Sequence, residues 1–587
     1  MNLPARITDL LPRRSDWTAA RRAPRRDVLA GVTVAVVALP LALAFGVASG
    51  LGAQAGLVTA VVAGALAAVF GGSNLQVSGP TGAMTVVLLP IVHRFGAPGV
   101  LMVGVLAGLV LIALAVARLG RYVRYLPMPV VEGFTAGIAV VIALQQVPAA
   151  LGVAGAEGTK VWAVAADAVY RFARDPHPGP VLMSVGVALA ILGGARWRPA
   201  LPLSLITVAA ATLLAELLPI GVARIGALPS GFPTPSMGFW EWHALPTLVT
   251  AALAVAALAA LESLLSATVA DGMTVNERHH PDRELFGQGL ANVITPIMGG
   301  IPATAAIART AVNVRAGARS KLAALTHAVV LAGVVLAAAP LVARIPLAAL
   351  AGVLIATTVR MVEAAAILAL LRATRRDAVV LVVTFAVTVA FDLVTAVALG
   401  VGVAGLLALR AVARSVKIEQ VPLETGDFSA EEQALLKQHI VAYRLEGPLF
   451  FAAAHDFLLQ LTEVADIRVV ILRMSRVSTI DATGAHILGD AIGRLRHRGI
   501  TVLLSGVDPR HEKVMTTIGA TAELFRAGLA FPDTPAAIDH ARREQEHATA
   551  QHATAQPTAA QPTVDPDSAV DPDSAARPTV QGPASGS

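Results

Sequence analysis

Apolar runs of about 20 residues, such as 28–48 and 322–341, constrain this chain more than any other feature, because that length of helix matches the hydrocarbon thickness of a bilayer. Charge is correspondingly scarce. Only 14% of the 587 residues are Asp, Glu, Lys or Arg, against about 25% in a soluble domain. The chain is therefore read as a polytopic membrane protein whose first partner is the lipid bilayer. It contains no cysteine, which excludes disulfide scaffolds, thiol catalysis and Cys-ligated metal centres. The apolar mass is Ala, Val, Leu and Gly, with 4% aromatics. Small residues let membrane helices approach closely.

The runs divide the chain. Residues 1–26 form a basic arm with Arg6, Arg13, Arg14, Arg21, Arg22, Arg25 and Arg26. The apolar segment behind it is too long for a signal peptide and has no convincing cleavage site, so it reads as the first span. Apolar segments recur through a transmembrane domain at 27–415: 28–48, 55–70, 81–93, 99–117, 131–147, 179–194, 201–219, 244–269, 285–299, 303–314, 322–342, 346–360, 377–391 and 393–410. With the N-terminus inside, these fourteen segments put Arg118, Arg121, Arg124, Arg196, Arg315, Arg319, Lys321, Arg375 and Arg376 in inner loops. The outer loops hold few basic residues, among them Arg94, Lys160 and Arg224. That asymmetry is the positive-inside pattern, so the formal charge of +6 marks topology rather than nucleic-acid binding. The reading predicts a multi-pass membrane protein with both termini cytoplasmic.

From 416 to 545 the composition is that of a soluble domain. Apolar runs at 469–472 and 501–504 read as buried strands, and 453–461, 484–498 and 510–518 as helices. Strands alternating with helices predict a small α/β domain. Residues 546–587 repeat His-Ala-Thr-Ala-Gln and Asp-Pro-Asp-Ser-Ala, and read as a disordered tail.

Two segments interrupt the apolar pattern in comparable places of the two halves. They are Val77-Ser78-Gly79-Pro80-Thr81-Gly82-Ala83 and Gly299-Gly300-Ile301-Pro302-Ala303-Thr304-Ala305-Ala306. Irregular backbone is tolerated at membrane depth only where protein buries it or it lines a cavity. Paired broken helices are the sequence signature of a transporter site. Each leads into a short helix whose first N–H groups and dipole favour an anion. Two charges lie nearby. Arg309 either holds the anion, braces the crossing helices or snorkels to the inner surface. Glu262 is costly at that depth as a carboxylate, which makes it a candidate proton carrier, or a cation ligand together with Ser266 one turn on.

These same residues resemble the SulP sulfate permeases, bacterial relatives of pendrin and prestin. The resemblance runs through Phe70-Gly71-Gly72-Ser73-Asn74, Ser78-Gly79-Pro80-Thr81-Gly82 and Glu262-Ser263-Leu264-Leu265-Ser266-Ala267. It continues through Gln288-Gly289-Leu290-Ala291-Asn292 and Gly299-Gly300-Ile301-Pro302-Ala303-Thr304, with Arg309-Thr310 and Asn313 after it. It implies fourteen spans as two inverted seven-span repeats, arranged as core and gate domains, and a homodimer. It also implies a C-terminal STAS domain, in which Thr483 of Asp481-Ala482-Thr483-Gly484 stands at a position that relatives use for regulation. Carried over by position, the anion site is Phe45, Thr81, Gly82, Ala83, Thr304, Ala305, Ala306 and Arg309. Glu262, where sodium-coupled relatives have aspartate, and Ala306, where they have a hydroxyl, favour H+ over Na+ as the coupling ion.

The expected function is secondary active transport of sulfate, bicarbonate or a dicarboxylate, as a proton symporter with an elevator-like motion. Two alternatives remain: a nucleobase–proton symporter of the same fold, and a membrane-anchored STAS regulatory protein. No nucleophile–base set and no metal-ligand set appears in the sequence, so an enzyme, a cofactor and a metal are not expected.

Overall fold

The computed structural model describes residues 8–22, 24–125, 127–158, 160–197, 201–229, 231–274, 277–391, 393–413, 417–421, 439–449, 467–517 and 521–554. The chain forms two compact units that divide near residue 407. The first is helical. It runs through α1 (Pro24–Ala48), α2 (Ala53–Phe70), the two-residue strand β1 (Ser78–Gly79), α3 (Gly82–Val116), α4 (Met128–Leu151), α5 (Val161–Arg174), α6 (Pro178–Trp197) and α7 (Leu203–Leu217). Then come α8 (Leu245–Gly272), α9 (Pro281–Ile297), the strand β2 (Thr304–Ala305), α10 (Ile307–Arg315), α11 (Lys321–Ala337), α12 (Leu347–Met361), α13 (Ala364–Ala373), α14 (Arg375–Ala390) and α15 (Leu393–Ala413). Among the described residues, eight helical stretches are long and apolar enough to cross a membrane. α7 and α11 are apolar but shorter.

The segments read as 81–93 and 99–117 form one helical run, α3, broken at Gly96 (φ +65°) between Pro90 and Pro98. The amphipathic α5, with Ala165 and Ala168 as its buried residues, was not anticipated. Its apolar residues are spaced for one helix face rather than massed in a run. Close packing follows from small residues. A Cβ on Gly46 of α1 would lie 2.7 Å from the Gly56 backbone nitrogen of α2, so only glycine permits that crossing.

The basic arm is tied down by acids. The Arg283 guanidinium of α9 donates to the Asp16 carboxylate. Asp27 of α1 accepts the N–H groups of Arg319 (2.7 Å) and Ser320 (3.2 Å) ahead of α11. Burial opposes the charge on Asp16. Hydrogen bonds from Arg283 and the Arg13 backbone, with the Arg283 and Lys321 charges, outweigh it and hold the carboxyl below its ordinary range. A depressed carboxylate stabilises the fold above its unfolded value, and that contribution is lost as pH falls through the folded one. Asp16→Asn should therefore lower the melting temperature near neutral pH. The difference from wild type should shrink as pH falls through the lowered folded value and vanish below it, where both side chains are uncharged. A constant difference across that range in a melting series would show that the ion pair is not its cause.

The second unit carries a five-stranded sheet in the order β3 (Lys417–Val421), β4 (Ile440–Leu449), β5 (Val469–Ile480), β6 (Thr501–Ser505), β7 (Ala530–Phe531). β3 pairs antiparallel with β4, and the remaining pairs are parallel. The helices are α16 (Ala482–His497), α17 (Pro509–Thr517), α18 (Thr521–Arg526) and α19 (Thr534–Thr554). Val470, Leu472 and Leu504 face Leu488, Ile492 and Leu495 of α16. Ile471 and Leu503, one residue along, face Ala537, Ile538 and Ala541 of α19. Both faces are covered, which is why these strands read as unbroken apolar runs. The helix expected at 453–461 lies outside the described residues. α19 runs through the first His-Ala-Thr-Ala-Gln repeat and into the second, so 546–554 of the tail expected to be disordered is helical; the tail beyond 554 lies outside the described residues.

Candidate functional site

The two interrupted segments meet. Ser78 pairs with Ala305 and Gly79 with Thr304 in a two-residue antiparallel ladder buried inside the helical unit. Each strand opens directly toward a helix N-terminus, α3 on one side and α10 on the other. Antiparallel strands bring the following helices in from opposite directions, so both positive dipole ends converge on the ladder. The α3 terminus is capped: the Thr81 hydroxyl accepts from the Met84 N–H at 3.4 Å. The α10 terminus is not, because Ala306 occupies the N-cap and has no side-chain acceptor. Ala306 is half-buried, and Ile307 and Ala308 are exposed, so this uncapped terminus opens outward.

The charges lie on the same ladder. The Arg309 guanidinium, 1% exposed, donates to the Pro80 carbonyl between β1 and α3. Its Nε and Nη1 have no protein partner. Glu262 of α8 accepts the Thr81 hydroxyl at 2.9 Å and keeps partial exposure. The acid, the cap of α3 and the arginine thus form one connected cluster. Phe45 of α1 lies against Gly82: a Cβ there would be 3.2 Å from the ring edge. Thr304 and Ala305, in the ladder itself, and Ala83, in the first turn of α3, are all buried.

Ser266 is engaged elsewhere. Its hydroxyl donates to Thr310 of α10 at 3.0 Å, and Thr310 in turn accepts the Val77 N–H at 3.1 Å. The acid is therefore paired with Thr81, and Ser266 ties α8 to α10. Two other residues of α8 reach the ladder: the Ala259 carbonyl accepts the Thr304 hydroxyl at 3.3 Å, and Ser263 bonds to both residues of β2. The Ser263 hydroxyl lies 2.9 Å from that of Thr304 and accepts the Ala305 N–H at 3.2 Å. Ser263 was not singled out from the sequence, although it adjoins Glu262 in the same motif. His327 of α11 was also missed. It is fully buried, neither ring nitrogen has a partner, and it lies within the field of Arg309. A histidine inside an apolar run is a signal that reading the run for length alone passes over.

In the soluble unit, Asp481 caps α16 by accepting the Gly484 N–H at 2.7 Å. Thr483 stands exposed in the first turn of that helix. Among the described residues there is no cluster of His, Cys, Asp and Glu suited to a metal.

Comparison with known proteins agrees with this geometry. The profile of the Sulfate permease family matches residues 25–384, and that of the STAS domain matches 433–533. The YvdB protein of Bacillus subtilis (strain 168), whose name assigns it provisionally to sulfate transport, is 34% identical over 502 residues, covering 84% of this chain and 94% of its own. The bicarbonate transporter BicA of a Picosynechococcus species is 31% identical, with 80% and 86% covered. The murine anion transporter Slc26a9, solved in its inward-facing state, superposes with a TM-score of 0.78 over 92% of this chain and 95% of its own. At 18% identity it shows the fold alone. Both the profile over more than half of the chain and the long match to YvdB lead to one assignment: this chain belongs to the sulfate permease (SulP) family of membrane anion transporters and carries a C-terminal STAS domain.

Proposed function

We propose that the protein is a proton-coupled symporter for a small oxyanion of the sulfate or bicarbonate kind, in an inner membrane with both termini cytoplasmic. One observation carries the coupling: the cap of the α3 terminus and the Glu262 carboxylate are a single hydrogen bond apart, through Thr81. The anion sits against the N-termini of α3 and α10, with Phe45 beside it and Arg309 behind. Charge bookkeeping supports the proton. In the empty site the Arg309 and Glu262 charges cancel. A monovalent anion alone leaves one negative charge in a low-dielectric barrier, which is costly. A proton on Glu262 restores neutrality, so the loaded and empty sites cross at comparable cost. An elevator-like motion of the helices bearing the ladder follows, because the site is built on rigid helix ends rather than on a mobile gate. Dimerisation and a regulatory role of Thr483 extend the family resemblance.

Reconstituted protein in liposomes tests this reading. Labelled sulfate, bicarbonate and a dicarboxylate are offered with an inward proton gradient, a sodium gradient or neither. Uptake of at least one anion should rise about tenfold under a one-unit pH gradient and should ignore sodium. Dependence on sodium with no response to pH would reject proton coupling. Uracil should not compete, because Ala305, Ala306 and Ala308 offer a base no side-chain partners. Competition by uracil would favour the nucleobase alternative.

A further inference from the structure

Three side chains of α9 stand one helical turn apart: Glu284, Gln288 and Asn292, each at most 1% exposed. Spacing of four residues puts them on one helix face, and each holds a different segment around the ladder. The Glu284 carboxylate accepts the N–H groups of Gly72 (2.9 Å) and Ser73 (3.1 Å), in the turn that leads toward β1. Its other oxygen accepts from the Gln288 amide at 3.0 Å. The same amide nitrogen donates to the Ser78 hydroxyl, in β1, at 2.6 Å. Asn292 closes a two-way pair with Ala303, immediately before β2: its Nδ2 donates to the Ala303 carbonyl and its Oδ1 accepts the Ala303 N–H, both at 2.8 Å.

The ladder needs such support. It has two residue pairs, and a two-stranded ladder is marginal by itself. A slip of one residue would turn every side chain on it to the other face and carry the attached helix end with it. Sheet pairing alone therefore does not fix where the termini of α3 and α10 point. We propose that Glu284, Gln288 and Asn292 are positioning residues: a polar rail along α9 that sets the register of β1 against β2 and so aims both helix termini at the anion. They act through Ser78, Ala303 and the 72–73 turn. The proposal rests on the reading of those termini as the anion site.

Packing alone predicts the opposite outcome for apolar replacements. Methionine matches glutamine in volume, and volume-conserving swaps in a core cost little. On the rail, Gln288→Met leaves the Ser78 hydroxyl and a Glu284 oxygen buried without a partner. Initial uptake of labelled sulfate and labelled bicarbonate in proteoliposomes would be measured for Gln288→Met, Ser78→Ala, the double variant and Asn292→Asp. The half-saturating concentration should rise about tenfold in Gln288→Met, with the maximal rate within about twofold of wild type. The double variant should be no worse than Gln288→Met, because Ser78 is the route by which Gln288 acts. Asn292→Asp keeps the bond from the Ala303 N–H but sets a buried carboxyl oxygen against the Ala303 and Gln288 carbonyls, so its rise should be at least as large.

A second readout needs no anion. Hydrogen exchange of the amides in 76–84 and 300–308 should be faster in Gln288→Met than in wild type, with other helices unchanged. Wild-type half-saturation together with wild-type exchange would overturn the rail. So would effects of Gln288→Met and Ser78→Ala that simply add. If the wild-type protein moves neither anion, the anion reading fails and the exchange data alone decide the rail. If Gln288→Met does not fold, Ser78→Ala and Asn292→Asp carry the same test.

Discussion

Glu262→Gln should abolish proton-driven accumulation while leaving a folded protein that still exchanges anion for anion. Glutamine keeps the shape of glutamate and an oxygen that can accept the Thr81 hydroxyl. It removes one property only, the ability to change charge. Wild type with a gradient of one pH unit and one proton per anion should concentrate the anion about tenfold, since 2.303RT is the work available per proton. The variant should reach about equal concentrations inside and outside, whatever the pH gradient. Exchange should persist, because a permanently neutral residue 262 mimics the loaded carrier. The measurement is steady-state labelled anion in proteoliposomes with the membrane potential clamped. If the glutamine variant still concentrates anion on a pH gradient, Glu262 is not the proton carrier. A divalent anion sharpens the test: with a single proton its transport carries net charge, so clamping the potential at different values should shift its uptake and not that of bicarbonate.

Much of this site was legible in the sequence, for physical reasons. Gly, Pro and hydroxyl residues inside apolar runs conflict with a plain membrane helix, and that conflict located both halves of the ladder. A charge retained at membrane depth is expensive, which located Glu262 and Arg309. What sequence reading lacked was pairing at long range. Nothing local tells Ser78 that its hydroxyl partner is Gln288, 210 residues away. Nor does anything local show that Asp27, at the edge of a basic arm, accepts the N–H groups that open α11. Ser266 shows the same limit from the other side. Helical spacing placed it one turn from Glu262, but its bond runs across to Thr310, a choice made by the neighbouring helix. In the soluble unit, β5 and β6 announced themselves as runs because their apolar stretches are buried on both faces, whereas β3, β4 and β7 gave no such run and were not picked out.

Gly79→Ala should reduce transport by about a thousandfold or to background. Two costs coincide there. Gly79 has φ +155°, a conformation L-residues rarely adopt, and forcing one into such a region costs about 1–3 kcal/mol. The added methyl would also lie 2.6 Å from Arg309 Nη1 and 3.3 Å from the Ala60 Cα. Ala60 belongs to α2 and cannot yield without moving a helix, so the guanidinium must move. Turning the guanidinium breaks its bond to the Pro80 carbonyl, and a hydrogen bond from a charged group is worth about 1.5–3 kcal/mol. Together these bracket the roughly 4 kcal/mol that a thousandfold change represents. Gly155→Ala supplies the control. That residue also has a positive φ, +64°, but nothing lies within 4 Å of the added Cβ, so it bears a backbone cost without the contact. Initial uptake rates, with elution volume and melting temperature as checks on folding, separate the two. Gly155→Ala should transport at close to the wild-type rate. Near-normal transport by Gly79→Ala would mean that the arginine tolerates displacement, and that the anion is held by the two helix termini without it.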